Sequence, residues 1–174
     1  SLRKSYNALY PTISKEMSRL RITKEQIDSV KSQTEKLIHD LPSDLWMVSP
    51  EILDTNINWQ IGHVFLANYL HGVASITGIN SEIRNMIDVK KYIKFYGMES
   101  DPRKYIEEKP SKEKIIKLYE FGFQLINNGL EQIDESDLDS QTEIPNPAVK
   151  TKYQALMWLF KHQSWHNGQI AILK

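Results

Sequence analysis

The sequence contains no cysteine among its 174 residues. This absence excludes disulfide bonds, thiolate metal ligands and a cysteine nucleophile supplied by the chain itself. Any metal site must therefore be built from nitrogen and oxygen donors. A reaction that needs a thiol must take it from another molecule.

The chain also lacks an excess of charge, because 22 lysine and arginine residues balance 22 aspartate and glutamate residues. No basic surface is therefore expected for nucleic acid or for anionic membranes. The longest apolar runs are broken by polar residues well short of a membrane span, and no apolar signal region follows a basic stretch. We therefore expect a soluble, cytoplasmic protein that binds neither nucleic acid nor membranes.

Helical periodicity is the main structural signal in the sequence. Apolar residues recur at helical intervals in four segments, which predicts helices over residues 23–41, 58–77, 111–133 and from Thr151 onward. No segment alternates persistently with the period of a strand. The length favours a single domain over residues 1–174, in which residues 1–22, interrupted by Pro11, are either a helical lead-in or an arm.

About thirty residues separate the second and third predicted helices, and we expect one short helix there, over residues 83–95. Four helices with one long crossover between helices two and three predict an all-α four-helix bundle. Asn56 or Asn58 can cap the second helix, and Thr151 with Gln154 matches a capping box. Gly168 is costly inside the fourth helix, so a neighbouring helix is expected to approach it closely.

Two histidines, His162 and His166, lie four residues apart in the C-terminal segment "WLFKHQSWHNGQIAILK". Four residues are about one helical turn, so both imidazoles can reach a common point, the spacing used by metal ligands on helices. A histidine from the second helix could complete a three-nitrogen set. His63 and His71 lie about 80° apart around that helix and roughly 12 Å apart along it, so only one of them can join the pair.

Two segments of the chain resemble signatures of a known family. The segment "TNINWQIGHVFLANYLHG" resembles the second-helix signature of the DinB-like superfamily of metal-binding four-helix bundles, and "HQSWHNGQI" resembles its closing signature. The connection "FYGMESDPRKYIEEKPSKEKI" is also similar to that of the family, so the resemblance extends over about residues 23–174. It implies that His63, His162 and His166 bind a divalent metal ion, with zinc or nickel expected first.

The resemblance also implies a range of activities. Relatives are thiol-dependent S-transferases and isomerases that use small thiol cofactors, or metal-dependent hydrolases without a proven substrate. Many relatives place the second-helix ligand eight residues after a tryptophan, but Trp59 plus eight is Ala67 here, and a Gly-His pair supplies His63 instead. The chain is therefore similar to the Gly-His subgroup. Because many relatives are dimers, the resemblance implies a homodimer.

Other residues near the predicted ligands have weaker interpretations. Gln169 lies on nearly the same face as His166 and could hydrogen-bond a ligand of the metal. Asn58, Asn68 and Tyr69 are weaker candidates for the same role. Trp59 and Trp165 could close a pocket. We assign neither role to His39 and His71, which we interpret as partly exposed helix residues. No carboxylate is singled out as a general base.

Two function hypotheses remain open. As an enzyme, the protein would use a three-histidine metal ion with open positions to activate water or an external low-molecular-weight thiol against a small-molecule substrate. As a non-catalytic metal-binding bundle, it would use the ion to tie the second helix to the fourth and serve as a structural or dimerisation module.

Overall fold

The computed structural model describes residues 18–174. Six helices contain most of these residues, and the rest include short 3-10 turns. In chain order they are α1 (Arg19–Ile38), α2 (Ile57–Asn68, continued by Tyr69–Ala74 and Ser75–Thr77), α3 (Ser81–Met86), α4 (Val89–Tyr96), α5 (Lys112–Leu130) and α6 (Lys152–Leu173). This part of the chain has no β-strand, and Gln141 and Thr151 form only an isolated bridge. The predicted all-α fold is confirmed.

Side-chain caps begin the four long helices. A side-chain oxygen accepts a hydrogen bond from a first-turn backbone N–H at Ser18 for α1, Asn56 for α2, Ser111 for α5 and Thr151 for α6. Thr151 and Gln154 form the predicted capping box. Of the two candidate caps of α2, Asn56 is the one used.

The first helix begins earlier than its apolar pattern predicts. Because Ser18 supplies the cap, α1 starts at Arg19 rather than at residue 23, and it ends at Ile38 rather than at residue 41. The last residues of the predicted lead-in, 19–22, therefore belong to α1. Residues 1–17 lie outside the described part of the chain.

The long crossover contains two helices, so the prediction of one helix over residues 83–95 is wrong. Helix α3 ends at Met86, and the Asp88 side chain accepts a hydrogen bond from the backbone N–H of Lys91 at the start of α4. Asp88 is therefore an N-cap inside the predicted helix, which divides it in two.

Helix α2 occupies the centre of the packing. It contacts α4, α5 and α6, while α1 packs mainly on α6. The middle of α2, Tyr69–Ala74, is a π-helical segment, and Gly72 lies within it. A Cβ atom on Gly72 would lie 2.6 Å from Cδ1 of Leu159 on α6 and 2.7 Å from Cγ1 of Ile126 on α5. The absence of a side chain there allows the three helices to approach closely.

A buried polar layer connects the four long helices beside the apolar core. Its members come from α1, α2, α5 and α6 and are Thr34, Asn68, Tyr119, Gln163 and Asn167. The amide nitrogen of Gln163 donates to the hydroxyls of Thr34 and Tyr119, both at 2.7 Å, and Asn68 donates to the Gln163 oxygen at 2.8 Å. Because these hydrogen bonds form only in one alignment, they favour one rotation of α6 about its axis.

Gly168 has no close neighbour, contrary to the prediction. A Cβ atom built there would find nothing within 4 Å, and the residue is exposed. Packing between helices therefore does not explain this glycine. Separately, none of the described helices combines the length and the apolar character needed to cross a membrane.

Candidate metal centre

Three histidines converge between α2 and α6. The Nε2 atom of His162 lies 3.2 Å from Nε2 of His63 and 3.1 Å from Nε2 of His166. One ligand atom from each residue lies within 4.8 Å of the other two. We call these residues the three-histidine cluster. The structure brings the predicted pair together with His63 rather than with His71.

Two of the spacings between the ring nitrogens fit one divalent ion. Two imidazole nitrogens about 2.1 Å from an ion, and about 90–109° apart around it, lie about 3.0–3.4 Å from each other. The distances of 3.1 and 3.2 Å between Nε2 atoms fall in this range. Neutral imidazoles are ligands for zinc, nickel and other first-row divalent metals. The cluster can therefore hold such an ion.

Hydrogen bonds set the tautomers of two rings. Nδ1 of His63 lies 2.7 Å from the backbone oxygen of Tyr96. Nδ1 of His166 lies 2.5 Å from Oε1 of Gln60. Both oxygens can only accept, so each Nδ1 carries a proton and donates it. In the neutral ring, Nε2 then keeps its lone pair, directed at the common point.

The third ring has no such partner. Nδ1 of His162 is buried and makes no hydrogen bond to any group in residues 18–174. Its Nε2 atom faces two other nitrogens that both keep lone pairs. One proton cannot satisfy all three nitrogens at once, whereas a cation among them can interact with every lone pair. The donor set therefore fits a bound metal ion.

Burial keeps the cluster neutral. Burial, together with charge repulsion from His166, His63 and His71, lowers the pKa of His162 to about 3. Burial, with repulsion from His63, lowers the pKa of His166 to about 4. Burial also lowers the pKa of His63, although its hydrogen bond to Tyr96 opposes that shift. Neutral rings at pH 7 have the free lone pairs that metal binding requires.

Tyr96 places the end of α4 against the turn of α2 that carries His63. A Cβ atom on Gly62 would lie 2.3 Å from Cδ1 of the Tyr96 ring, so the glycine makes room for this ring. The Tyr96 hydroxyl donates to Oδ1 of Asn58 at 2.8 Å. Its ring and hydroxyl are thus anchored on α2, which directs the backbone oxygen at His63.

Gln60 and Gln169 form an amide chain behind His166. The Gln60 amide nitrogen donates to Oε1 of Gln169 at 2.7 Å and to Oγ1 of Thr55 at 2.8 Å, which turns the Gln60 oxygen toward His166. Gln169 therefore acts on the cluster through Gln60 rather than by touching a histidine. The sequence interpretation missed Gln60, although it lies three residues before His63 and thus on a neighbouring part of the same helix face.

Trp59 covers one face of His63. The two rings are stacked with centroids 4.7 Å apart and an interplanar angle of 8°. The Trp59 indole N–H donates to Oγ of Ser100 at 2.8 Å, which holds the ring in place. Trp165 packs edge-on against Trp158 instead and is half exposed.

The remaining candidates lie away from the three-histidine cluster or act indirectly. Asn58 supports Tyr96, Asn68 belongs to the buried polar layer, and the Tyr69 hydroxyl accepts from the backbone of Asn80. His39 was interpreted as a partly exposed helix residue, and its side chain is largely exposed at the end of α1.

The interpretation of His71 as partly exposed is wrong, because only 5% of its surface is exposed. Its Nδ1 accepts a hydrogen bond from the side chain of Asn146 at 2.9 Å. The loop before α6 therefore covers this histidine.

A family model described as the DinB superfamily matches residues 26–170, which include all three histidines of the cluster and most of the described chain. No curated protein matches the sequence. Because the match extends over most of its length, the chain belongs to the DinB superfamily.

Proposed function

We propose that the protein is a metal-dependent enzyme acting on a small molecule, with a zinc or nickel ion bound by His63, His162 and His166. The observation that carries this proposal is the convergence of three Nε2 atoms, two of them on rings whose Nδ1 protons are held by Tyr96 and Gln60. Membership of the DinB superfamily supports it.

The architecture proposed with this function is a single domain built as a four-helix bundle. Helices α1, α2, α5 and α6 would be its four members, and α3 and α4 would lie on the long crossover. The buried polar layer supports this arrangement, because hydrogen bonds from Gln163 and its neighbours join residues of all four long helices. In this bundle the ion would be held by two facing helices, as is common for metal sites in bundles.

The residues of the chain have separate roles in this proposal. A three-histidine ion with an open position supplies a Lewis acid that can activate water or a thiol at neutral pH. Tyr96 and Gln60 hold protons on Nδ1 of His63 and His166, which keeps the Nε2 lone pairs available. Trp59 covers His63 and excludes water from that face. Since the chain has no cysteine, a thiol transferred in the reaction would come from an external low-molecular-weight cofactor.

The alternative function is a non-catalytic metal-binding module. It is favoured by one feature of the site, which is that His63 lies on α2 while His162 and His166 lie on α6. An ion shared by these residues would cross-link two helices and stabilise the native state by mass action. Dimerisation remains a prediction of the resemblance, and light scattering that finds a monomer at high concentration would contradict it.

Elemental analysis of the purified protein tests the metal site. We expect stoichiometric divalent metal in the wild type and none in His166→Ala, because two remaining ligands bind an ion far more weakly. The matched control is His39→Ala, which removes an exposed histidine and should retain the metal. Absence of metal from the wild type after dialysis against zinc and nickel would reject the proposal.

Azide binding separates the two functions. In cobalt-substituted protein, an open coordination position should bind azide and change the visible absorption spectrum, whereas a structural site has all positions filled. A spectrum that azide does not change would favour the non-catalytic module.

A further inference from the structure

A cavity lies beside the three-histidine cluster, against the outer side of its hydrogen-bond partners. Its volume is about 320 Å³, within the range of small-molecule sites. Leu53, Trp59 and Ile172 form its apolar walls. Amide or hydroxyl groups of Thr55, Gln60 and Gln169 form its polar edge. This mixture of apolar walls and few polar groups is typical of ligand pockets.

Two lining residues connect the cavity to the cluster. Trp59 stacks on His63, and Oε1 of Gln60 accepts a hydrogen bond from Nδ1 of His166. A molecule in the cavity would thus contact side chains that touch two of the three histidines. A larger cavity of about 800 Å³ is lined by residues of α6 and of the loop before it, including Trp158 and Lys161, but by neither Trp59 nor Gln60.

The electrostatics of the cavity favour an uncharged ligand. Asp54 is the charged residue in the lining, and its carboxylate pairs with the guanidinium of Arg103. Arg103 also donates to the backbone oxygen of Leu53 at 3.2 Å, so this cation is engaged at the rim. Among the described lining residues there is no lysine or arginine to bind an anion.

The polar edge of the cavity favours a hydrogen-bond acceptor. Both protons of the Gln60 amide are used, by Thr55 and Gln169. The hydroxyl proton of Thr55 and the amide protons of Gln169 have no acceptor within residues 18–174. They are therefore free to donate to an oxygen of a ligand, whereas the apolar walls would pack against its body.

We propose that this cavity binds an uncharged small molecule with a flat apolar body and a carbonyl oxygen, the ring packing against Trp59 and Ile172 and the oxygen accepting from Thr55 or Gln169. The ligand class rests on the cavity alone. Its assignment as the substrate class of the metal centre rests on the proposed function. An acidic thiol cofactor would fit this cavity poorly, because its carboxylates would find no free cation there.

Three probes of one shape test the charge preference: benzamide, which is neutral, benzoate, which is anionic, and benzamidinium, which is cationic. Binding is followed by NMR through the indole N–H signal of Trp59, with Trp46, Trp158 and Trp165 as internal references. We expect benzamide to shift the Trp59 signal in a saturable way and the two charged probes to bind at least about tenfold more weakly. The lining offers benzoate no lysine or arginine, and Asp54, which could attract benzamidinium, is already paired with Arg103.

A matched pair of variants tests the location. Ile172 is 73% exposed and Ile79 is 54% exposed, so neither Ile172→Glu nor Ile79→Glu should affect folding. Ile172→Glu places a charge in the cavity wall and should weaken benzamide binding by at least about tenfold. Ile79 follows the far end of α2 from Trp59, so Ile79→Glu should leave benzamide binding unchanged.

The titrations are run on metal-loaded and chelator-treated protein. Benzamide binding without any metal binding would leave the cavity proposal intact and reject the proposed function. No Trp59 shift with benzamide, equal binding of benzoate, or equal loss in both variants would overturn the cavity proposal, whatever the metal content.

Discussion

The protein buries imidazole side chains in two places, the three-histidine cluster between α2 and α6 and the single His71 further along α2. Burial lowers the pKa in both places, to about 4 for both His166 and His71. The difference lies in what the ring nitrogens face. In the cluster, Nε2 faces other Nε2 atoms, whereas Nδ1 of His71 accepts a hydrogen bond from Asn146. Burial and a lowered pKa do not make a metal site without convergent free lone pairs.

The largest expected effect contrasts two histidines of the same helix. His63→Ala should abolish stoichiometric metal binding, because it removes one of three converging nitrogens. His71→Gln should retain full metal content, because Asn146 already occupies the Nδ1 lone pair of His71. Elemental analysis of both variants measures this. Equal loss of metal in the two variants would show that the ligand assignment is wrong.

Low pH should lower the stability of the protein through the titration of His71. Its folded-state pKa of about 4 lies below the ordinary 6.5, so between these values the unfolded chain binds a proton that the native state does not. The free energy of unfolding should therefore fall as the pH drops from about 6.5 to about 4, by up to roughly 3 kcal/mol from this residue. Urea unfolding of the wild type and His71→Gln over this pH range measures the difference. Identical pH dependence would contradict it.

A smaller effect is expected when the hydrogen-bond partners of His166 and His71 are replaced. Gln60→Leu leaves Nδ1 of His166 without its acceptor and should weaken metal binding by roughly 10–100-fold. Asn146→Leu removes the partner of His71 and should leave metal affinity unchanged. Competition with a chromophoric chelator measures both affinities. A comparable loss in Asn146→Leu would mean that the site depends on general packing rather than on the Gln60 contact.

The smallest effect is expected at the glycine next to the cluster on α6. Gly168→Ala should stabilise the protein by up to about 1 kcal/mol, because a Cβ atom there meets nothing within 4 Å and alanine favours the helix. Metal content should not change. Gly62→Ala should instead destabilise the protein, because its Cβ atom would collide with the Tyr96 ring. Thermal unfolding of both variants measures the signs, and destabilisation by Gly168→Ala would contradict this prediction.

Several features of the fold could be predicted because they depend on residues close together in the chain. The capping box of Thr151 and Gln154 needs only a four-residue segment, and the end of α2 at Thr77 follows from Gly78, which has φ 91°. The break between α3 and α4 also had a local signal, the potential cap Asp88, which the prediction of one helix did not take into account. The π-helical segment of α2 had no local signal in the sequence, because it occurs where Gly72 packs closely against α5 and α6.

The candidate site also combines features that depend on nearby residues with features that depend on distant ones. The His162 and His166 spacing follows from one helical turn and was visible in the sequence, and the resemblance supplied His63. The burial of His71 was not predicted, because the loop that carries Asn146 lies 75 residues away in the chain. The acceptor for His63 could not be predicted either, because it is a backbone oxygen and every residue type has one.

The sequence by itself determined the helical class, several helix limits, the pair of histidines on α6 and the need for nitrogen and oxygen donors at any metal site. These properties follow from local periodicity, capping and composition. Only the tertiary structure decided that His63 meets the pair while His71 is covered by Asn146, and that Gln60 and Tyr96 hold the tautomers of His166 and His63. The physical reason is that a helix presents several faces, and the packing of α2 against α4, α5 and α6 selects which face meets which neighbour.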